Sequence, residues 1–467
     1  MNGTKISIIC IFLVKMRKKL IFILVIDIFF VILQSKLRKV KKTMNAIVQF
    51  LVENYRSIKE QRMLVMHSAA VKDTAAFTML RNGEKLLPAA AIYGANSSGK
   101  SNVIRAIQLM DSMIITSIRL NEGEELPYNP YLFNSESRKS PTLFEMTFIA
   151  DGHKYRYGFE YTRNKIIGEW LYEILKTKSS TFFLRTEDGI GVDANLYPEG
   201  VGLENRTNEN RLFLSVSAQL GGVVAKRIMK FFKNNLNVIS GLDTDGYDFF
   251  TKISLHESRS FVSQMKDFYQ KIGLGFEGVK ITKEVFDPSQ LPKDLPNDMR
   301  SSLSRELSGK SMLVALSEHP IYNEKGDIID HGTFDLEEIE SAGTVKLFGL
   351  SGPIFDTLAS GSILVVDELD AKMHPLISQY VVRLFNSRDT NPRGAQLIFN
   401  THDTNLLSKN VLRRDQIWFT EKNEQEETDL YRLMDVVMPN NQAPRNDANL
   451  ERNYIAGRYG AIPYIKY

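Results

Sequence analysis

The sequence predicts an α/β fold with a mixed β-sheet core, on three observations. A short apolar run, Ala89-Ala90-Ala91-Ile92-Tyr93, leads directly into Gly94-Ala95-Asn96-Ser97-Ser98-Gly99-Lys100-Ser101. Behind that loop, Val103, Ile104, Ile107, Met110 and Ile114 recur at helical spacing. Far downstream, Ser362-Ile363-Leu364-Val365-Val366 repeats the buried-strand pattern and ends in Asp367-Glu368.

The loop fits G-x-x-x-x-G-K-[ST], the phosphate-gripping P-loop, and points to a P-loop NTPase. Its small residues let successive backbone N–H groups turn inward around phosphate oxygens, and the following helix aims its positive dipole end at them. Gly94, Asn96, Ser97, Ser98, Gly99 and Asn102 are therefore expected around a nucleoside triphosphate. Lys100 would reach the β/γ-phosphates, and the Ser101 hydroxyl would sit on Mg²⁺. The strand before and the helix after set this segment apart from a Gly/Ser-rich surface turn.

The second strand carries the complementary chemistry. Aspartate at the end of a hydrophobic strand is the Walker B arrangement, so Asp367 is expected to hold Mg²⁺, directly or through water. Glu368 is then placed to polarise the attacking water as general base. Leu397-Ile398-Phe399-Asn400-Thr401-His402 is a further apolar strand with a polar end. A lone strand-end histidine usually packs or faces water, but the order after Asp367-Glu368 favours His402 as a γ-phosphate contact.

At 467 residues the chain exceeds one ordinary domain, so two lobes or a core with large insertions are expected. A hydrophobic content of 43% suffices for a packed interior. The net charge of +4 is unevenly placed: residues 1–43 carry an excess of nine positive charges and leave the rest at −5. That body advertises no broad phosphate-backbone footprint, although a local basic groove stays open. The only cysteine, Cys10, lies in the leader, so from Met44 onward disulfides, thiolate zinc sites and cysteine nucleophiles are excluded. The leader itself is apolar and basic by turns. Its longest apolar run, Leu20 to Leu33, spans about 21 Å as a helix, short of a ~30 Å hydrocarbon core. Met44 is the expected natural start, with a membrane-surface anchor as the alternative.

Residues 44–140 are assigned to the N-terminal part of the nucleotide-binding core. Residues 141–335 are assigned to a large inserted α+β/helical lobe, and 336–467 to the C-terminal part of the core. Within the insertion, Leu143–Ile149 and Tyr155–Tyr161 alternate as strands around Asp151-Gly152, a hairpin signal. Residues 212–232 have helical character interrupted at Gly221-Gly222, and the proline-bearing stretch 287–297 is expected to be an exposed loop. Tyr155, Tyr157, Phe159 and Tyr161 are expected to pack rather than stack on bases.

In order, these pieces resemble the ABC/SMC-like branch of P-loop ATPases, and more narrowly the AAA-family ATPases of the RloA/AbiLi type found in phage-defence and abortive-infection loci. Phe50-Leu51-Val52-Glu53-Asn54-Tyr55-Arg56-Ser57-Ile58 is similar to their first strand, and Glu340-Ser341-Ala342-Gly343-Thr344 to their signature motif. Asp367-Glu368-Leu369-Asp370 with His374-Pro375 resembles their Walker B and D-loop, and Thr401-His402-Asp403 their switch-histidine segment. Tyr454 to Pro463 is similar to their closing stretch. The resemblance implies ATP and Mg²⁺ as cofactors, with Ser341, Gly343 and Asp370 among the nucleotide-binding residues. The first two would act from the opposite protomer. Without the resemblance, Ser341 to Thr344 reads as a helix-capping turn. The motif departs from the LSGGQ form of transporters, and 267 positions separate Lys100 from Asp367, so no Q-loop glutamine can be placed.

The implied activity is ATP hydrolysis at a site shared by two copies, a homodimer or higher oligomer, in the cytoplasm. The implied role is a sensor or scaffold controlling a separate effector encoded nearby, often a nuclease, in anti-phage defence. Only 65 residues follow His402, too few for the TOPRIM nuclease of related OLD-family ATPases. Two alternatives remain: a DNA-clamping repair-type ATPase, marked by salt-sensitive DNA-stimulated turnover, and an ATP-gated non-catalytic scaffold. Membrane association is not expected.

Overall fold

The computed structural model describes residues 45–175, 178–242, 245–287, 300–302, 304–305, 308–438, 444–445 and 447–463. The leader at 1–43 and all but the first residue of the stretch 287–297 lie outside them.

The described chain opens with β1 (Ala46–Glu53), β2 (Arg62–Val65) and a small hairpin, β3 (Met79–Arg81) and β4 (Glu84–Leu86). β5 (Ala89–Gly94) and α1 (Lys100–Thr116) flank the glycine-rich loop. Five strands follow: β6 (Thr142–Ala150), β7 (His153–Tyr161), β8 (Ile166–Ile174), β9 (Ser179–Thr186) and β10 (Gly189–Val192). Then come α2 (Phe213–Gln219), α3 (Val223–Asn235), β11 (Leu236–Ser240), α4 (Asp245–Glu257) and α5 (Arg259–Ile272). β12 (Gly278–Val285), β13 (Ser311–Tyr322) and β14 (Ile328–Asp335) precede α6 (Leu336–Ile339) and α7 (Ala342–Ser360). The last elements are β15 (Ile363–Asp367), α8 (Pro375–Asn386), β16 (Gln396–Asn400), β17 (Ile417–Lys422), β18 (Thr428–Arg432) and α9 (Leu450–Ile455).

Two sheets organise the molecule. One is antiparallel, in the order β10-β9-β8-β7-β6-β1-β2; the other runs β11-β15-β16-β5-β17-β18. In the second, β11, β15, β16, β5 and β17 are parallel and only β18 is antiparallel to its neighbour, so the core sheet is mixed. β12, β13 and β14 form a separate antiparallel sheet. The strands of segment 141–335 are thus shared among three sheets: β6 pairs onto β1, β11 onto β15, and β12–β14 onto one another.

Helix α1 lies between the two large sheets, which is why its apolar positions are so regular. Val103, Ile104, Ile107, Met110 and Ile114 share one core with Ala90 and Ile92 of β5, Ile363, Val365 and Ile398, and with Phe50, Met146 and Phe148 of the antiparallel sheet. The alternate residues Ala89, Ala91, Tyr93, Leu364, Val366, Leu397 and Phe399 face the other way, onto Leu347 and Leu350 of α7 and Val381 and Phe385 of α8. Strands covered on both faces have no polar side, and their sequences accordingly read as continuous apolar runs.

The hairpin between β6 and β7 turns on Asp151 (φ 48°) and Gly152 (φ 87°), both left-handed as a two-residue I′ turn requires. Tyr155, Tyr157, Phe159 and Tyr161 are buried, and Phe148 stacks on Phe231 of α3 with ring centroids 4.5 Å apart. The glycine pair Gly221-Gly222 separates α2 from α3. Among the described residues, no helix is long and apolar enough to cross a membrane.

The sheets are also joined by a polar staple. Gln396, fully buried at the start of β16, accepts from Ile47 N–H at 2.7 Å and donates to Ile47 O at 3.1 Å and Leu87 O at 3.2 Å. Gln396→Leu would strand these main-chain groups in the apolar interior. It is expected to cost about 3 kcal/mol, read as a lower urea midpoint with an unchanged slope.

Candidate functional site

Everything of interest gathers where the parallel strands end. β5 delivers the loop at Gly94, Ser97 takes a left-handed φ of 65°, and Gly99, at φ 106°, forms the N-cap of α1. A Cβ at Gly99 would stand 2.2 Å from Thr428 Oγ1, so only glycine fits. The 17-residue helix that follows has no side-chain cap and no acid in its first turn. Its N-terminal N–H groups and dipole are therefore left to an external anion. The Lys100 ammonium folds back on the loop and donates to Gly94 O at 2.8 Å and Ala95 O at 3.0 Å. Burial lowers its pKa to about 8, against the raising pull of Glu368, Asp370 and Asp367. A buried cation held by carbonyls beside an uncapped helix N-terminus is a donor set that fits phosphate.

Hydroxyl groups buttress the loop from behind. Ser98 Oγ meets Thr420 Oγ1 at 2.7 Å, and Thr428 Oγ1 donates to Ser98 O at 2.9 Å. The same Thr428 hydroxyl lies 2.7 Å from Ser57 Oγ, which accepts from Asn102 Nδ2 at 2.7 Å. Asn102 is thus directed at Ser57, while Asn96 and Ser97 are exposed on the loop's outer side. Ser57, Thr420 and Thr428 are not legible as site residues in the sequence. Each is an ordinary polar residue whose partner lies hundreds of positions away.

β15 sits between β11 and β16, so Asp367 ends beside Asn400. Asn400 Nδ2 donates to Asp367 Oδ1 and lies 3.4 Å from Ser101 Oγ, which brings the two expected Mg²⁺ ligands to one amide. Two oxygen ligands of this type suit a hard divalent cation that keeps several waters. Glu368 follows with a left-handed φ of 60°, its N–H donating to Asn400 Oδ1. Asp370 Oδ2 accepts from His402 N–H at 3.2 Å, while its Oδ1 is buried without a hydrogen-bond partner. His402 itself is exposed, and partial desolvation together with the Lys100 charge lowers its pKa, against Asp370 and Glu368. Lys100, Ser101, Asp367, Glu368, Asp370 and His402 therefore share one electrostatic neighbourhood.

Ser341 and Gly343 lie at the start of α7. Ser341 is exposed at the N-cap of α7, accepting from Thr344 N–H at 3.2 Å, so the capping role read from the sequence is present. Among the described residues no hydrogen bond joins it to residues 94–102. Gly343 instead abuts the D-loop, where a Cβ would stand 2.6 Å from Lys372 O. One turn on, Lys346 is buried and donates to Leu369 O at 3.3 Å and to Ala371 O. Burial lowers its pKa to about 8, against Asp370 and Glu368. In the sequence it stands as a lone lysine amid Val345, Leu347 and Phe348, with nothing to mark it as buried. His374 caps α8, with Pro375 in the first turn as expected.

The closing stretch now has a physical role. Tyr454 stacks on Phe419 (centroids 5.4 Å apart) and meets Tyr93 edge-on at 5.9 Å, and its hydroxyl donates to Ala461 O at 3.1 Å. Tyr431 OH donates to Tyr459 O at 2.9 Å. The tail thereby packs under the strand that carries the P-loop. Thr428→Val, which keeps the shape and removes the hydroxyl, leaves Ser98 O unpaired. It is expected to cost about 1–2 kcal/mol of stability, read as a lower urea midpoint.

Residues 89–408, about two thirds of the chain, match the family model described as "AAA domain, putative AbiEii toxin, Type IV TA system". No curated protein matches the sequence. Among solved structures, the chain is similar to "Crystal structure of the SmcHead bound to the C-winged helix domain of ScpA", with 13% identity, 83% of this chain and 98% of that chain covered, and a TM-score of 0.44. The SMC head domain from Thermotoga maritima gives 13% identity, the same 83% and 98% coverage, and a TM-score of 0.37. "Structure of the recombination mediator protein RecF-ATPrS in RecFOR pathway" gives 13%, 83%, 98% and 0.34. With its glycine-rich loop between β5 and α1, its acidic strand end on β15 and a family match spanning both, the chain belongs to this family of AAA domains and has a P-loop α/β fold.

Proposed function

We propose that this chain is an ATPase whose site is completed by a second copy of itself. The observation that carries the reading is the convergence of Lys100 and Ser101 from the loop with Asp367 and Glu368 from β15, while Ser341 is exposed and hydrogen-bonds within its own turn. Lys100 and the N-terminus of α1 would bind the triphosphate of ATP. Ser101 and Asp367 would hold Mg²⁺, which supplies charge neutralisation at the β/γ oxygens. Glu368 would take the proton of the attacking water, and His402, with its lowered pKa, would offer a neutral ring to the γ-phosphate edge. Ser341 and Gly343 would arrive from the partner copy, so that hydrolysis is linked to assembly of a homodimer or higher oligomer.

The wider role we propose is a cytoplasmic ATPase of the RloA/AbiLi type, a sensor or scaffold that controls a separate effector, a nuclease, in anti-phage defence. The family description, with its abortive-infection and toxin–antitoxin vocabulary, supports this reading. Deleting the neighbouring effector gene should abolish protection against phage while the ATPase stays intact.

Glu368→Gln is expected to bind ATP and to accumulate as an ATP-dependent dimer in native mass spectra, with turnover lowered about 10²–10⁴-fold. Lys100→Ala should bind no ATP. Parental turnover in the Glu368 variant overturns the base assignment. A second expectation follows from the lowered pKa of Lys100. Below about 8 the free protein already carries the charge, and well above it burial has removed it. Bound phosphates would restore the charge, so ATP binding should take up close to one proton at about pH 9 and none at about pH 6.5. Calorimetry in buffers of different ionisation enthalpy measures this.

A further inference from the structure

Asn400 has no part in the chemistry read from the sequence, yet it contacts Ser101, Asp367 and the main-chain N–H groups of Glu368 and Leu369. It is the last residue of β16 and fully buried. Its main-chain oxygen accepts from Leu369 N–H at 3.2 Å. Its side-chain oxygen accepts from Glu368 N–H, and its NH₂ group faces Asp367 Oδ1 and, at 3.4 Å, Ser101 Oγ.

The orientation of the amide is fixed by chemistry. A main-chain N–H can only donate, so the atom facing Glu368 N must be the oxygen, and the NH₂ necessarily faces Asp367 and Ser101. With that oxygen turned to the Glu368 N–H, it is the NH₂ group that faces the two expected cation ligands. It donates to one carboxylate oxygen of Asp367 and meets the Ser101 hydroxyl on its acceptor side, which leaves the second Asp367 oxygen outside the contact.

The same amide restrains the backbone of Glu368. A left-handed φ at a non-glycine residue is strained and persists where the surroundings enforce it. Here two neighbours enforce it. Asn400 accepts from the Glu368 N–H, and Gly241 lies against the Glu368 carbonyl so closely that a Cβ there would stand 2.0 Å from the oxygen. Gly241 N–H also donates to Asp367 O at 2.6 Å.

We infer that Asn400 is the positioning residue of the metal site: one buried amide that orients both expected Mg²⁺ ligands and, through the Glu368 N–H, sets the candidate base in register with them. This rests on the proposed nucleotide reading and adds to it a residue that neither the P-loop nor the Walker B pattern contains. Groups that orient metal ligands typically change metal affinity 10–100-fold when removed.

The test titrates Mg²⁺ against ATP binding in the full chain, using a fluorescent ATP analogue, and needs no turnover. Asn400→Ala is expected to raise the half-saturating Mg²⁺ concentration about tenfold, with binding measured in EDTA unchanged within about twofold. Asn400→Asp keeps the acceptor for Glu368 N–H and places a second carboxylate beside Asp367, so it is expected to lower the half-saturating concentration. A purely structural role would not send the two variants in opposite directions. Shifts in the same direction, or none beyond twofold, overturn the inference while the parent's Mg²⁺ response leaves the nucleotide reading standing. Should Asn400→Ala fail to fold, Asn400→Asp decides alone: a lowered value supports the inference, an unchanged or raised one overturns it. A parent protein that binds no ATP with or without Mg²⁺ overturns the nucleotide reading and the inference together.

Discussion

The structure depends on keeping opposite charges close without pairing them directly. Lys100 and Lys346 are both buried among Glu368 and Asp370, yet each ammonium is satisfied by main-chain carbonyls. The carboxylates are in turn held by neutral donors, Asn400 for Asp367 and the His402 N–H for Asp370. A direct ion pair would recover desolvation energy but would also consume the groups that chemistry needs. Carbonyls and amides hold charge in place at lower cost to its availability. The lowered pKa values of the two lysines are the visible sign of that compromise.

The packing around the site serves the same end. Helix α1 is apolar on the sides that meet the two sheets, so the end that faces the loop is fixed by burial rather than by a capping side chain. Gln396 ties β1 to β16, and the hydroxyl chain from Thr420 through Ser57 ties the loop to strands at the far end of the sequence. The tail adds an aromatic layer beneath Tyr93. Rigid surroundings of this kind let a phosphate-binding loop hold left-handed residues such as Ser97 without rearranging.

Much of this was legible in the sequence wherever the information is local. The P-loop, the apolar run ending in Asp367-Glu368 and the Asp151-Gly152 hairpin each depend on neighbours within a few residues, and each lies where the spacing puts it. Asn400 and Thr428 were illegible for the opposite reason. A polar residue at a strand end looks like any turn residue until the partner strand is known, and Thr428 meets Ser98 across 330 positions. Lys346 was hidden differently: in an apolar helix a single lysine reads as a surface residue. The division of segment 141–335 among three sheets was equally beyond reach, because hairpins announce their own turn but not the sheet they will join.

One contact ties distant parts of the chain to the reaction centre. Gly241 leaves β11 pressed against the carbonyl of Glu368, and the next helix, α4, is pinned to α7 by Thr251 Oγ1, which donates to Gly349 O at 2.6 Å and accepts from Gly352 N–H at 3.1 Å. Helix α7 begins at Ser341. Tyr247 OH of α4 in turn donates to Ser240 O, the last residue of β11, at 3.1 Å, so α7, α4 and β11 form one hydrogen-bonded series that stops at the Glu368 carbonyl.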